Sequence, residues 1–165
     1  MPPLHPDVAP FEFLLGSWAG EGRGVYPTIA GFTYREEVSF DHVGKPFLTY
    51  AQKTWRTGDH PEAGAPLHSE TGYLRPARPG RAELVIAQPT GIVEVDEGEI
   101  DGPALVLRST VVGLTSTARE VTSVERRLRV ARDTLSYELW MAALGQQHQL
   151  HLEAELRRRS SADGV

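Results

Sequence analysis

The 165-residue sequence contains no cysteine. Disulfides, thiolate metal ligation and cysteine nucleophilic chemistry are therefore excluded, and an intracellular setting is compatible with this. No apolar run approaches the ~18 residues that a spanning helix needs. The N-terminus, MPPLHPDVAPFEFLLGSW, lacks a basic stretch followed by a long apolar one, so no signal peptide is read. Basic side chains are in the minority: 17 Lys and Arg against 22 Asp and Glu give a formal net charge of -5. That argues against nucleic-acid binding, which shows as a basic patch or domain. Internal repeats and low-complexity segments are also missing. These absences point to a soluble, cytoplasmic protein with no membrane and no nucleic-acid partner. The sequence leaves the oligomeric state open, a homodimer included.

What is present suits one globular domain. Hydrophobic residues make up 40% and charged residues 24%, an ordinary balance for a folded chain of this length. A single domain over 1–165 is expected, with an ordered core of about 8–158. The most informative stretch is 16–29, where Gly16, Trp18, Gly20, Gly22 and Gly24 share one parity. On a strand these residues line one face. That face carries one indole beside four positions without side chains. Glycines in a strand interior mark a sharp bend at a barrel corner, or close approach of a ligand or another backbone. Either reason leads to a small β-barrel with something inside.

Strand patterns follow at 17–26, 32–42, 47–56, 67–75, 82–88, 91–97, 103–112, 119–130, 134–143 and 148–158. The segment 32–42 alternates Phe32, Tyr34, Glu36, Val38 and Phe40 against polar residues, with Glu36 the odd member of the apolar face. Turn chemistry separates the segments, as at Gly44-Lys-Pro46, Pro89-Thr-Gly91 and Asp101-Gly102-Pro103. Residues 57–66 read as the longest flexible loop and 159–165 as a disordered tail. Residues 1–10 read as irregular, with a short helix over 11–15 after Pro10, stopped by Gly16, plugging one barrel end. Regularly spaced strands predict an all-β, antiparallel up-and-down barrel of about ten strands, wide enough for a ligand cavity.

Candidate chemistry is sparse. His5 and His60 read as solvated, and His42 and His68 as strand-end residues without an evident partner. His148 and His151 cannot share a strand face, so they make a poor zinc pair. A single imidazole is nevertheless enough to hold haem iron. Strict alternation puts His148 inside with Leu150, Leu152, Ala154 and Leu156, and His151 outside; a β-bulge would reverse this. There is no Gly-x-Ser-x-Gly elbow, and the glycines at 16–24 make no phosphate-binding loop. The carboxylates read as exposed strand residues, with Glu36 and Glu21 of interest if buried. The arginines at 126–129 and 157–159 read as a solvated face.

Gly16-x-Trp18-x-Gly20-x-Gly22, continued through Gly24, Tyr26, Pro27, Thr28 and Ile29, closely resembles the nitrobindin family. Met141-Ala-Ala-Leu-Gly145-Gln146 with His151-Leu152 resembles that family's closing hairpin and proximal-histidine strand, and Thr117-Ala-Arg119-Glu-Val121 also fits. The resemblance covers nearly the whole chain. It implies a ten-stranded antiparallel barrel, similar in shape to lipocalins and fatty-acid-binding proteins, holding ferric haem b in a surface cleft. It further implies binding of nitric oxide and isomerisation of peroxynitrite to nitrate. Carried over by residue, it makes His151 the axial ligand, against the parity reading, and puts Thr28 at the haem edge. Arg119 falls where the family commonly has a lysine near the haem, and Gln147 where it often has proline. The competing reading is an intracellular carrier of a fatty acid or other apolar molecule without catalysis.

Overall fold

The structure is a computed structural model that describes residues 1–160. Ten strands follow one another around a closed antiparallel barrel: β1 (Gly16–Tyr26), β2 (Ile29–His42), β3 (Leu48–Thr57), β4 (Pro66–Pro76), β5 (Arg81–Ala87), β6 (Ile92–Asp101), β7 (Ala104–Leu114), β8 (Val121–Ala131), β9 (Thr134–Ala143) and β10 (Gln149–Arg158). Each strand pairs with its sequence neighbours, and β1 closes on β10 through Trp18↔Arg158 to Gly24↔Leu152. Closure covers the sheet edges over most of the barrel's length. All ten expected strands are present, with ends displaced by up to four residues.

Alternation places the core. In β2 Tyr34, Glu36, Val38 and Phe40 are buried, while Thr33, Arg35 and Asp41 are exposed. The inward row of β1 is the glycine–tryptophan row. A Cβ on Gly20 would lie 2.1 Å from the Glu155 carbonyl oxygen, so this glycine lets the β10 backbone come close. At Gly22 and Gly24 the same atom would collide with the rings of Tyr34 and Phe32. These glycines make room for neighbouring chain atoms and aromatic rings.

One end of the barrel is sealed. Trp18 is wholly buried and its indole N–H donates to the Leu14 carbonyl at 2.8 Å. The Arg158 guanidinium lies 4.1 Å above the indole centroid and also donates to the carbonyls of Leu15 and Phe13. These contacts dock the N-terminal segment, a 3₁₀ helix over Pro6–Leu14 that buries Val8, Phe11 and Leu14. The helix therefore starts five residues before the expected 11–15. Pro6 sits at its start, where the missing N–H is harmless, and Pro10 is accommodated inside it. At the chain's other end, Arg159 is tied down, its N–H donating to Ser17 and its guanidinium 3.2 Å from Glu37. The rest of the expected tail, 161–165, lies outside the described residues.

The opposite end is built from the connections 27–28, 58–65, 88–91, 115–120 and 144–148. The longest of these, expected to be flexible, is folded into turns by hydrogen bonds such as Arg56 N–H to Ala65 and Gly64 N–H to Arg56. The wall loosens at this end. β7 and β8 pair only from Ala104↔Arg129 to Arg108↔Glu125, and their remaining residues form no ladder with one another.

Candidate functional site

His151 stands where two ladders become irregular together. The β10–β9 register shifts between Leu150 and Leu152, and the β1–β2 register shifts between Gly24 and Tyr26. A bulge re-aims the side chain it carries. Here it turns His151 toward the inward rings: Tyr26 lies edge-on at 5.4 Å and Phe32 at 6.2 Å between centroids. His151 Nδ1 is 3.0 Å from the Val25 carbonyl oxygen. A carbonyl only accepts, so Nδ1 carries the proton and Nε2 is the unprotonated nitrogen. Burial pushes the His151 pKa below its ordinary value, as does the charge of His68, and the Val25 bond only partly offsets this. The imidazole is thus held neutral, in one tautomer, with a metal-competent nitrogen.

The parity reading of His148 fails. His148 precedes β10 and is exposed. Its ring stacks on Trp140 at 6.3 Å and its Nδ1 meets Ser123 Oγ at 3.1 Å. Thr28 occupies the two-residue turn between β1 and β2, next to Tyr26, and is exposed. Tyr26 hooks this corner to the β9 end: its hydroxyl accepts from Ala143 N–H at 2.8 Å and donates to the Ala143 carbonyl at 3.2 Å. Arg119 lies exposed in the 115–120 connection. Thr28, Arg119 and His151 therefore belong to the same barrel end. Glu21 is exposed on the outer wall, where it borders a charged depression of about 1060 Å³ that contains none of these three residues.

The middle of the barrel departs most from expectation. Arg126, read as part of a solvated face, is buried among carboxylates. Its guanidinium donates a bidentate pair of hydrogen bonds to Glu70, at 3.0 and 3.1 Å, and a further one to Glu94 at 2.7 Å. Asp96 Oδ2 is 3.4 Å from its Nε. Glu70, Glu94 and Asp96 thus face inward; of the arginines expected on a solvated face, Arg127, Arg129, Arg157 and Arg159 are exposed, while Arg126 is buried and Arg158 half-buried. Burial opposes ionisation of Glu70, but Arg126 and His68 outweigh it and hold the carboxyl at about 2. Asp96 goes the other way: burial, with Glu94 and Glu70 beside it, pushes it up to about 7 despite Arg126.

Glu36 forms a second group. Tyr137 donates to it at 2.6 Å and Gln52 at 3.2 Å, while the Tyr137 and Tyr34 hydroxyls are 2.8 Å apart. Burial dominates and raises its carboxyl to about 7, with the two hydrogen bonds pulling the other way. A raised carboxylate pKa gives stability that is full below the unfolded value near 4.3 and lost as pH rises to about 7. Glu36→Gln removes the ionisation. Urea unfolding at pH 8 is expected to show the variant about 1–3 kcal/mol more stable than wild type, with equality restored near pH 4.

Between the two groups lies a cavity of about 40 Å³, lined by Glu36, Gln52, Tyr50, Glu70, Arg126 and Tyr137 with leucines around them. Among the described residues, no three His, Asp or Glu side chains are arranged to hold a metal ion. A haem iron asks less, because one axial side chain suffices. Sequence reasoning missed Val25 as the partner of His151, since a backbone carbonyl has no residue signature. It also missed Glu70, Glu94, Asp96 and Arg126, although all four fall on inward parity once the strands are aligned.

The comparisons with known proteins agree on one family. The model of a family described as a THAP4-like, heme-binding beta-barrel domain matches residues 7–158. A protein named peroxynitrite isomerase 2 from Mycobacterium marinum is 52% identical over 161 residues, covering 95% of this chain and 98% of its own. One named peroxynitrite isomerase from Nocardia farcinica is 51% identical, covering 94% and 92%. The crystal structure of Rv2717c from M. tuberculosis superposes with a TM-score of 0.87 at 50% identity, over 96% of this chain and all of that one.

Proposed function

Because the chain belongs to the THAP4-like haem-binding β-barrel family, we propose that it binds ferric haem b through His151, takes up nitric oxide, and isomerises peroxynitrite to nitrate. The observation that carries this reading is the state of His151. Its Nδ1 is fixed on Val25, its Nε2 is unprotonated, and two aromatic edges hold the ring in place. That is the preparation of a proximal ligand, whose second nitrogen a carbonyl usually orients. The surroundings suit a flat apolar ring. Val25, Ile29, Leu114 and Leu144 are exposed apolar residues at this end, and the β7–β8 ladder is open there.

Held by His151, ferric haem would supply a Lewis-acidic centre able to weaken the peroxynitrite O–O bond. The chain's part is to fix the imidazole, keep it neutral and leave the far side accessible. Thr28 would lie at the macrocycle edge, and Arg119 would offer a cation beside the haem, as the family resemblance implies. Arginine presents a planar fork where a lysine offers a point charge, so the contact changes geometry while keeping its sign.

The carrier reading is less well supported. The mid-barrel space is bordered by Glu36 and by the ionised Glu70–Arg126 pair, which disfavours an apolar chain there. Peroxynitrite decay followed by stopped flow tests the proposal. The haem-loaded protein is expected to accelerate decay and to raise nitrate yield over nitrite, and the apoprotein to do neither. Equal traces for both forms would remove the catalytic claim. The same mixing with nitric oxide is expected to shift the haem absorption. A cytoplasmic location, compatible with the absence of cysteine, belongs to this proposal as its setting.

A further inference from the structure

Two tyrosines and a carboxylate form a chain that haem binding does not use. Tyr34 and Glu36 lie two apart on the inward row of β2, and both reach Tyr137 on β9. Strands β1 and β10 stand between β2 and β9 in the ring. The crossing is lined by small residues, because the ladders align Tyr34 with Gly22, Gly22 with Ala154, and Ala154 with Tyr137. A Cβ on Gly22 would lie 2.5 Å from the Tyr34 hydroxyl oxygen. The bare position therefore lets the Tyr34 phenol pass over β1 and meet Tyr137.

Donor and acceptor roles follow from the distances. The Tyr137 hydroxyl donates to Glu36 at 2.6 Å, so its one proton is committed. The Tyr34 hydroxyl, 2.8 Å away, must then donate to the Tyr137 oxygen. Gln52 donates to the other Glu36 oxygen at 3.2 Å. Tyr34 is wholly buried, whereas Tyr137 is half-buried. Tyr137 and Glu36 both line the mid-barrel cavity of about 40 Å³. One water needs ~10–15 Å³ of such space, so a molecule of three heavy atoms is accommodated. A phenol gives up an electron readily only when its proton leaves with it, and the carboxylate beside Tyr137 is placed to take that proton.

We propose that Tyr137 is a redox-active tyrosine that reduces nitrogen dioxide, a small neutral one-electron oxidant, inside the barrel and passes its proton to Glu36. Nitrogen dioxide gains one electron and leaves as nitrite. The Tyr137 O–H bond breaks, its proton forms the O–H bond of the Glu36 carboxyl, and a phenoxyl radical remains that accepts the Tyr34 hydrogen bond. The negative charge of the carboxylate reappears on nitrite. The source of the oxidant rests on the peroxynitrite reading, since breaking the O–O bond releases nitrogen dioxide whenever the fragments fail to recombine. The charges around Glu36 set its readiness as a base. Burial raises its carboxyl to about 7; Glu70 from β4 adds to this, and Arg126 from β8 opposes it. Tyr50 from β3 is bonded to Glu70, and the residue of β1 aligned with Glu36 is Gly20, which has no side chain. The carboxylate form thus grows in as pH rises through about 7.

Nitrogen dioxide generated by pulse radiolysis of nitrite is the probe. The target is the apoprotein carrying Tyr73→Phe, which removes a phenol that is 51% exposed. Transient absorption and electron paramagnetic resonance are expected to show a tyrosyl radical that outlives that of free tyrosine. Tyr137→Phe should lose it and Tyr34→Phe should shorten its life, with far-ultraviolet dichroism unchanged in both. The rate of formation should rise with pH through about 7. Glu36→Gln, which keeps an acceptor but loses the base, should slow formation about a hundredfold at pH 8 and remove the pH dependence. A radical of unchanged yield and lifetime in Tyr137→Phe, or a Glu36→Gln variant that matches its parent at pH 8, would overturn the inference. Both readouts are free of haem, so a failure of the chain to take up hemin would remove the haem reading and leave this result standing.

Discussion

Replacing His151 with alanine is expected to weaken hemin binding by about a hundredfold or more and to abolish the ferric spectrum of the wild type. Losing an outer partner of a metal-bound imidazole costs roughly 10–100-fold, so losing the imidazole stands at or beyond the top of that range. The barrel should survive the change. His151 is only partly buried, and its single hydrogen bond goes to a carbonyl at the end of the β1–β10 ladder. His151→Gly should regain the spectrum on addition of free imidazole, because the Tyr26 and Phe32 edges that seat the ring remain. His148→Ala should leave hemin affinity unchanged, since that ring is exposed on Trp140 and bonded to Ser123. Loss of the spectrum in the His148 variant alone would restore the parity reading and remove His151 from the site.

Arg126→Ala is expected to be the most destabilising single change in the barrel interior. It leaves Glu70, Glu94 and Asp96, at 7%, 3% and 0% exposure, without the guanidinium they share. Breaking a buried pair by removing one partner costs about 3–5 kcal/mol. For a domain of this size that corresponds to a melting point lower by about 10 °C. The pH dependence separates this cause from lost packing. In wild type the Glu70 carboxyl is held at about 2, so its contribution is full above the unfolded carboxylate range and is lost as pH falls toward 2. In the variant the stranded carboxyls are expected to move above their unfolded values. Their stability contribution is then fullest in acid and declines as pH rises. Thermal melts between pH 4 and 8 should therefore show the deficit of the variant widening with pH. A constant deficit would mean that Arg126 acts through packing alone.

The strands were legible because alternation and turn chemistry agree along the chain. Phe32 to Phe40 alternates cleanly, and Asp101-Gly102-Pro103 separates β6 from β7. The glycine row of β1 was legible as a face, and the structure supplies its reason in the β10 backbone beside Gly20 and the rings beside Gly22 and Gly24. His151 was not legible from period alone. Its direction depends on a register shift between Leu150 and Leu152, which no residue type announces; the family resemblance selected it instead. Arg126 was hidden by its setting in Glu125-Arg-Arg-Leu-Arg129, where composition suggests a wet face. Its partners come from β4 and β6, so only closure of the barrel brings the charges together. The helix began early for a similar reason: Val8 gains its burial from the barrel base rather than from any local pattern.

The central claim is that His151 presents a ready nitrogen to a haem iron, and titration of the purified apoprotein with hemin tests it most directly. The account predicts a shifted, sharpened Soret band that saturates at one hemin per chain and is absent from the His151→Ala variant. Hemin absorption that stays that of the free compound at all ratios, or a saturating shift identical in wild type and His151→Ala, would contradict it.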